Sequence, residues 1–282
     1  MTFGSDSAIN LFDIVAGTTK NVGNQYYPNR SCCHIAIPHT RTHGPRIFEF
    51  PRIIHTHMHG DRTIVYFDID HHEWVSTGTV IPVRDIIGVA RLTDTEVVIY
   101  GNDVCFNGTG NRCLLFNTDT HKMTDLPDTI VCRVLPALPA IVHFRGRVVV
   151  IGGYNDKSMG VENCEQYTPG AVAWEPMPNI PTKVGCARAA VVDDNIYVIM
   201  GLYAGSVYMY DGATWHDIGI VWGSFSRLDC KLFNYKGTPA ILCNDGLIRT
   251  LDTETGTWNT LDGITTPPSG ALMSYQSELC TF

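Results

Sequence analysis

The chain has 282 residues, 44% of them hydrophobic and 17% charged, which is enough apolar material for a sizeable core and too little charge for a disordered chain. A formal net charge of −8 argues against general affinity for DNA, RNA or an anionic membrane, so any functional basic patch must be local. No run approaches ~18 uninterrupted apolar residues, and the start "MTFGSDSAINLF" lacks both a basic and an apolar leader region, so neither a transmembrane helix nor a secretory signal is expected.

In chain order, one pattern returns: an apolar run, an Asp or Asn, a short turn, then an aromatic. A weak copy, "INLFDIVAGTTK", stands near the start. It is followed by "TIVYFDIDHHEW", "RCLLFNTDTHKM", the segment from Val148 to Pro178, "SVYMYDGATW" and "LIRTLDTETGTW". The pivots are Asp13, Asp68, Asn117, Thr168, Asp211 and Asp252, spaced by 55, 49, 51, 43 and 41 residues. A period of about 50 points to a radial repeat rather than a helical solenoid.

Position assigns the physical roles. An Asp or Asn ending a strand accepts hydrogen bonds from amides further on and so nucleates a turn. The aromatic that follows (Trp74, Trp174, Trp215, Trp258) packs across the resulting hairpin. Runs such as "NIYVIMG" have no polar face, as expected of strands covered on both sides by stacked sheets. No window shows a sustained helical period, so the expectation is an all-β protein. Thirty residues follow Asp252 and 13 lead to Asp13; together they make one more repeat of 43. "SGALMSYQSELCTF" would then supply the inner two strands of a sheet whose outer strands come from 7–23, pinning the two termini together.

The double glycine Gly152-Gly153 after "VVVI", its reduced forms "VVIYG" and "YVIMG", the Tyr-Asp turn, the Trp and "EPMPNIP" together resemble the kelch family of β-propellers. The resemblance implies a six-bladed kelch-type propeller in one domain, residues 1–282, closed by pairing of N- and C-terminal strands in one blade. Its blades would be approximately 271–282 with 7–23, then 31–78, 87–127, 137–178, 186–219 and 228–263. Kelch proteins often carry helical adaptor domains linking them to ubiquitin ligases. Six blades would use every residue here, so any such link is expected to need a separate adaptor subunit.

In kelch propellers one rim is built from the loops between second and third strands and from the connections between blades. The connections repeat a motif: "PNRSCCHIAI", "PVRDIIGVARL", "VCRVLPAL", "PTKVGCARAAV" and "SFSRLDCKLF" place Arg30, Arg84, Arg133, Lys183 and Arg227 ahead of successive innermost strands. In a closed ring these would surround one channel mouth, suited to carboxylate or phosphate recognition or, alternatively, to joining neighbouring blades. Tyr26, Tyr27, Tyr154, Tyr203, Trp222 and Phe225 fall in the same rim loops. Large aromatics in such loops suit a recognition face.

Other chemistry is weaker. "RIIHTHMHGD" sets His55, His57 and His59 on alternate residues with Asp61 nearby, a spacing seen in metal sites. The segment falls at an expected loop, however, and no other repeat offers a matching ligand. No metal, no cofactor and no catalytic residue is therefore expected. "DTETGTW" has its Asp and Gly in the wrong register for a sialidase Asp-box, and no nucleophile elbow, phosphate loop or H-E-x-x-H is present. Ten cysteines without a CxxC pair, mostly in apolar runs, suit free thiols in a reducing cytosolic or nuclear compartment.

The first functional expectation is a non-enzymatic protein–protein interaction module. It would bind a protein partner, in the simplest case an acidic loop or peptide, on the rim around the channel, without nucleic acid or membrane. The alternative is a small-molecule or carbohydrate-acting propeller enzyme using the same mouth, with Arg84 or Arg133 holding an acid group.

Overall fold

The computed structural model describes residues 8–13, 18–24, 32–38, 40–51, 62–83, 85–102, 110–134, 139–155, 157, 159–200, 204–222, 231–242, 247–265, 272–275 and 278–281. Among them the regular elements are all strands, and no helix is long and apolar enough to cross a membrane. The chain opens with β1 (Ala8–Asp13) and β2 (Thr18–Asn24). Four-stranded antiparallel meanders follow. The first is β3 (Cys32–Ile37), β4 (Arg46–Pro51), β5 (Thr63–Asp68) and β6 (Glu73–Val80). The second is β7 (Asp85–Arg91), β8 (Glu96–Asn102), β9 (Asn111–Asn117) and β10 (Met123–Leu126). Next come β11 (Ala140–Phe144), β12 (Arg147–Ile151), β13 (Cys164–Tyr167) and β14 (Glu175–Met177). These are followed by β15 (Ala187–Val192), β16 (Asn195–Met200), β17 (Ala204–Tyr210) and β18 (Trp215–Trp222). The last meander is β19 (Lys231–Tyr235), β20 (Thr238–Leu242), β21 (Leu247–Asp252) and β22 (Thr257–Thr265), before β23 (Leu272–Tyr275) and β24 (Glu278–Thr281).

The terminal strands share a sheet in the order β2-β1-β24-β23, with Asn10 opposite Thr281 and Asp13 opposite Glu278. The first strand of each meander touches the first strand of the next, and β23 touches both β19 and β3. The result is a propeller-like, all-β architecture.

The pivots behave as their chemistry requires. Asp68 Oδ1 accepts from the amides of Asp70 and His71, both at 3.0 Å. Asn117 Oδ1 takes those of Asp119 and Thr120, Asp211 Oδ1 those of Ala213 and Thr214, and Asp252 Oδ1 those of Glu254 and Thr255. Each side chain satisfies turn amides that the ladder leaves over. The amides of Thr214 and Ala213, with the His216 ring, hold the Asp211 carboxyl well below its usual range. At Asp68, desolvation pushes upward but is outweighed by hydrogen bonds from His71 and Asp70. The aromatics then close the hairpins: Trp74 lies 5.4 Å from Phe67, Trp174 5.5 Å from Tyr167, and Trp215 5.0 Å from Tyr210, ring centre to ring centre.

Period-two alternation explains why the central strands have no polar face. In β8, Val97 and Ile99 join the core against the first meander, while Val98 and Tyr100 join the core against β12. In β12, Val148 and Val150 face back to that second core, and Val149 and Ile151 face β16. Sheets thus stack face to face and each central strand serves two cores.

Polar side chains tie sheet to sheet. The indole Nε1 of Trp174 donates to Pro127 O at 2.9 Å, and that of Trp215 donates to Pro178 O at 2.9 Å, so each tryptophan grips the Leu-Pro or Met-Pro that ends the preceding sheet. Arg46, fully buried, lies over the rings of Phe48 and Tyr66 at 5.3 and 5.5 Å. It donates to Thr118 O at 2.8 Å and to Asp119 Oδ1 at 2.5 Å, across to the β9–β10 turn. Desolvation raises the Asp119 carboxyl's pKa, but hydrogen bonds from Arg46 and Thr42 dominate and hold it below its usual value.

Candidate functional site

In an antiparallel meander the loops alternate between the two ends of the sheet. The β10–β11 connection, the β12–β13 loop and the β14–β15 connection therefore emerge at one end, and backbone hydrogen bonds knit them together. Val134 N donates to Tyr154 O at 2.8 Å, Gly153 N to Val184 O at 2.9 Å, Val184 N to Val161 O at 3.1 Å, and Ile180 N to Glu162 O at 3.0 Å. Asn155 Oδ1 accepts from the amides of Lys157 and Met159, both at 3.0 Å, which shapes the tip of the β12–β13 loop.

Beneath this surface lies a buried polar network. Arg133, with 0% of its surface exposed, donates through Nε to Gly152 O at 2.6 Å and through Nη2 to Asn163 O at 3.2 Å. Its Nη1 pairs with Glu165 Oε1 and also reaches Val131 O at 3.1 Å. Glu165, also buried, accepts from Ile130 N at 2.6 Å and from Val131 N at 3.4 Å. The Arg133 carbonyl accepts from Asn102 Nδ2 at 2.9 Å, and its amide donates to Asn111 Oδ1 at 3.2 Å. Tyr100 Oη donates to the same Asn111 oxygen at 3.1 Å, and burial pushes that phenol up to about 12. The network binds the sheet containing β8 and β9 to the one containing β12 and β13.

The double glycine is explained by the same geometry. Gly152 and Gly153 have φ of +63° and +104°, a region costly for other residues. A Cβ on Gly153 would stand 3.0 Å from Arg133 Cδ, and one on Gly152 would stand 2.9 Å from Val184 Cβ. The glycines let the arginine and the β14–β15 connection pass against the backbone.

The residues expected from sequence are placed unevenly. Arg133 is a correction: its guanidinium is sealed between sheets and satisfied by a carboxylate and carbonyls, so it is a strut and presents nothing to a partner. Lys183 is exposed in the β14–β15 connection. Tyr154 is half-buried, its ring laid against Gly185, where a Cβ would stand 1.8 Å from Cε1. Trp222 ends β18 opposite Ala204, and its side chain lies outside the described residues. Arg30, Arg84, Arg227, Tyr203 and Phe225 also lie outside them, as do Tyr26, Tyr27, His55, His57, His59 and Asp61.

Two residues of this surface were missed. Ile130 in the β10–β11 connection is 58% exposed and Met159 in the β12–β13 loop 51% exposed; Lys157 of the same loop and Lys183 of the β14–β15 connection are exposed as well. Their signal in the sequence is only their position in rim loops, and an aliphatic side chain there lacks the charge or ring that marks a recognition residue. Among the described residues, no group of three or more His, Cys, Asp or Glu could hold a metal ion.

No protein-family model matches the chain, and no curated protein matches it. Among solved structures it is similar to the one described as "Structure of YjhT", with a TM-score of 0.67 at 9% identity over 91% of each chain. At that identity the likeness concerns the fold alone, and it supports the propeller architecture.

Proposed function

We propose that the protein is a six-bladed kelch-type propeller, its ring closed by the sheet that joins both termini, acting as a non-enzymatic interaction module. The β1–β24 pairing and the contact of β23 with β3 support closure. The positive φ of Gly152 and Gly153 and the Trp-to-Pro bonds between sheets support the kelch reading. The partner is a protein segment carrying acidic and apolar residues, held at the rim.

One observation carries this function. Ile130 and Met159 stand more than half exposed, and Lys157 and Lys183 are exposed, on three loops that emerge at one end of the sheets and are joined by backbone hydrogen bonds. Exposed apolar side chains on a rigid surface, bordered by cations, suit such a segment, because the apolar contacts supply affinity and the charges supply orientation. The test is affinity capture from a cytosolic extract with the intact protein and with a Met159→Asp, Lys183→Glu variant. A protein captured by the first and lost with the folded second is the expected result; identical capture profiles would contradict the reading.

A further inference from the structure

The β9–β10 turn carries the contact between the β3–β6 and β7–β10 meanders, and two imidazoles meet it in opposite ways. From the first meander, Arg46 donates to Thr118 O and Asp119 Oδ1, Thr42 Oγ1 donates to Asp119 Oδ2 at 2.8 Å, and Thr79 Oγ1 donates to His121 O at 2.6 Å. His43, in the β3–β4 loop, sets Nδ1 3.3 Å from Asp119 Oδ1, so a proton on that ring meets a carboxylate. His121 sits on the turn itself, at a φ of +56°. Its Nε2 is buried and makes no hydrogen bond among the described residues. The ring lies nearly parallel to Phe116, 5° between planes and 6.3 Å between centres, and 5.8 Å from Tyr66. Arg46 packs on the same Tyr66 ring at 5.5 Å, and its Nε is likewise buried without a hydrogen-bond partner among the described residues.

A neutral imidazole suits this place and an imidazolium does not. Uncharged, the His121 ring packs as an aromatic among aromatics. Protonated, Nε2 becomes a buried N–H with no acceptor and adds positive charge to a cluster that already holds a guanidinium. Asp119 brings negative charge to the same cluster, but its oxygens are engaged by Arg46, Thr42 and His43. Burial first, then Arg46 and His43, hold the His121 ring below the usual imidazole value, and Asp119 opposes them only in part. The Asp119 carboxyl is itself held below its usual range, so it stays ionised in mild acid.

We propose that this contact is an acid-sensitive latch, in which His121 takes the proton and thereby releases the β9–β10 turn. The added charge and the lost solvation are relieved when the turn leaves the first meander, which frees Thr118 O, Asp119 and His121 O together. A ring that holds its proton more weakly in the folded chain than in the unfolded one stabilises the fold fully above the unfolded value, about 6.5. That stabilisation is lost as pH falls from there toward the folded value. The latch lies at the end of the sheets away from the rim and does not rest on the partner reading.

Urea unfolding at a series of pH values between about 7.5 and 5.5 tests it. The proteins are the intact chain, His121→Asn, which tolerates a positive φ, and His121→Phe, which keeps the ring contacts. The expected result is a loss of stability toward acid in the intact protein that is shallower in both variants. The same pH dependence in all three, or a steeper one in the variants, overturns the latch. Titration of the assigned histidine ring protons by NMR decides on the unaltered protein even if neither variant folds. His71 is exposed and its Nδ1 lies 3.0 Å from Asp68 Oδ1, a hydrogen bond that raises its proton affinity. His121 is expected to take its proton at lower pH than His71, and the reverse order overturns the proposal.

Discussion

Arg133 and Arg46 are both fully buried and both tie one sheet to the next, yet they meet their counter-charges under different conditions. At the rim, Arg133 pairs with Glu165, which is itself buried and held by two backbone amides. At the other end of the sheets, Arg46 lies over two aromatic rings and pairs with Asp119, whose side chain keeps 21% exposure. Water reaches the second carboxylate and not the first. A pair sealed from water is costly to break from one side, because the survivor cannot be rehydrated. Solvent near one partner and aromatic faces under the other soften the same loss. A shared role in linking sheets therefore does not imply a shared energetic weight.

The widest separation comes from removing each carboxylate. Glu165→Gln leaves Arg133 with an uncompensated buried charge and is expected to cost about 3–5 kcal/mol in denaturant unfolding. Asp119→Asn is expected to cost less, about 1–3 kcal/mol. Equal losses would break the comparison. Acid unfolding sharpens it. Asp119 has a folded-state pKa below its unfolded value, so its stabilisation is present above the usual carboxylate range and is lost as pH falls through the folded value. The Asn variant should lose that part of the acid limb and unfold with a shallower pH dependence.

Smaller effects follow from the same strut. Gly153→Ala forces a Cβ against Arg133 at a positive φ and is expected to lower stability by about 1–3 kcal/mol, measured the same way. Trp174→Phe keeps most of the ring packing and removes the bond to Pro127 O, for an expected loss of ~1 kcal/mol. The smallest effect is on reactivity alone. Burial pushes the Cys164 thiol up to about 11 and the Cys113 thiol further still, whereas Cys33, Cys132 and Cys186 are half-buried. In the native protein at roughly pH 8, a thiol reagent should label the latter three first and Cys113 and Cys164 only on unfolding.

Much of the fold was legible because its determinants are local. Asp68, Asn117, Asp211 and Asp252 cap turns three residues long, and the tryptophans close hairpins within a few positions, so both leave a signal within one window of sequence. The β12–β13 loop carries its constraint openly in Gly152-Gly153. What Arg133 does was not legible, because its position before an innermost strand suits a solvent-facing cation and a strut equally. The deciding partner, Glu165, lies 32 residues away across a sheet boundary. Arg46 was not legible for a similar reason: in "RIFEF" the charged residues Arg46 and Glu49 fall on opposite faces of the strand with nothing local to bury them, yet all six residues of β4 are buried. Ile130 and Met159 carry no local signal beyond their place in loops, because the exposure of an aliphatic side chain is decided by the path of the loop around it.

The central claim is that this rim divides its labour, with Arg133 holding sheets together below and the Met159–Lys183 surface meeting the partner above. The most direct measurement records melting temperature and partner capture on the same two proteins, Arg133→Met and Lys183→Glu. The account predicts that Arg133→Met melts lower while the folded fraction still captures the partner, and that Lys183→Glu melts like the unaltered protein and captures less. An Arg133→Met protein of full stability that has lost its partner would contradict it.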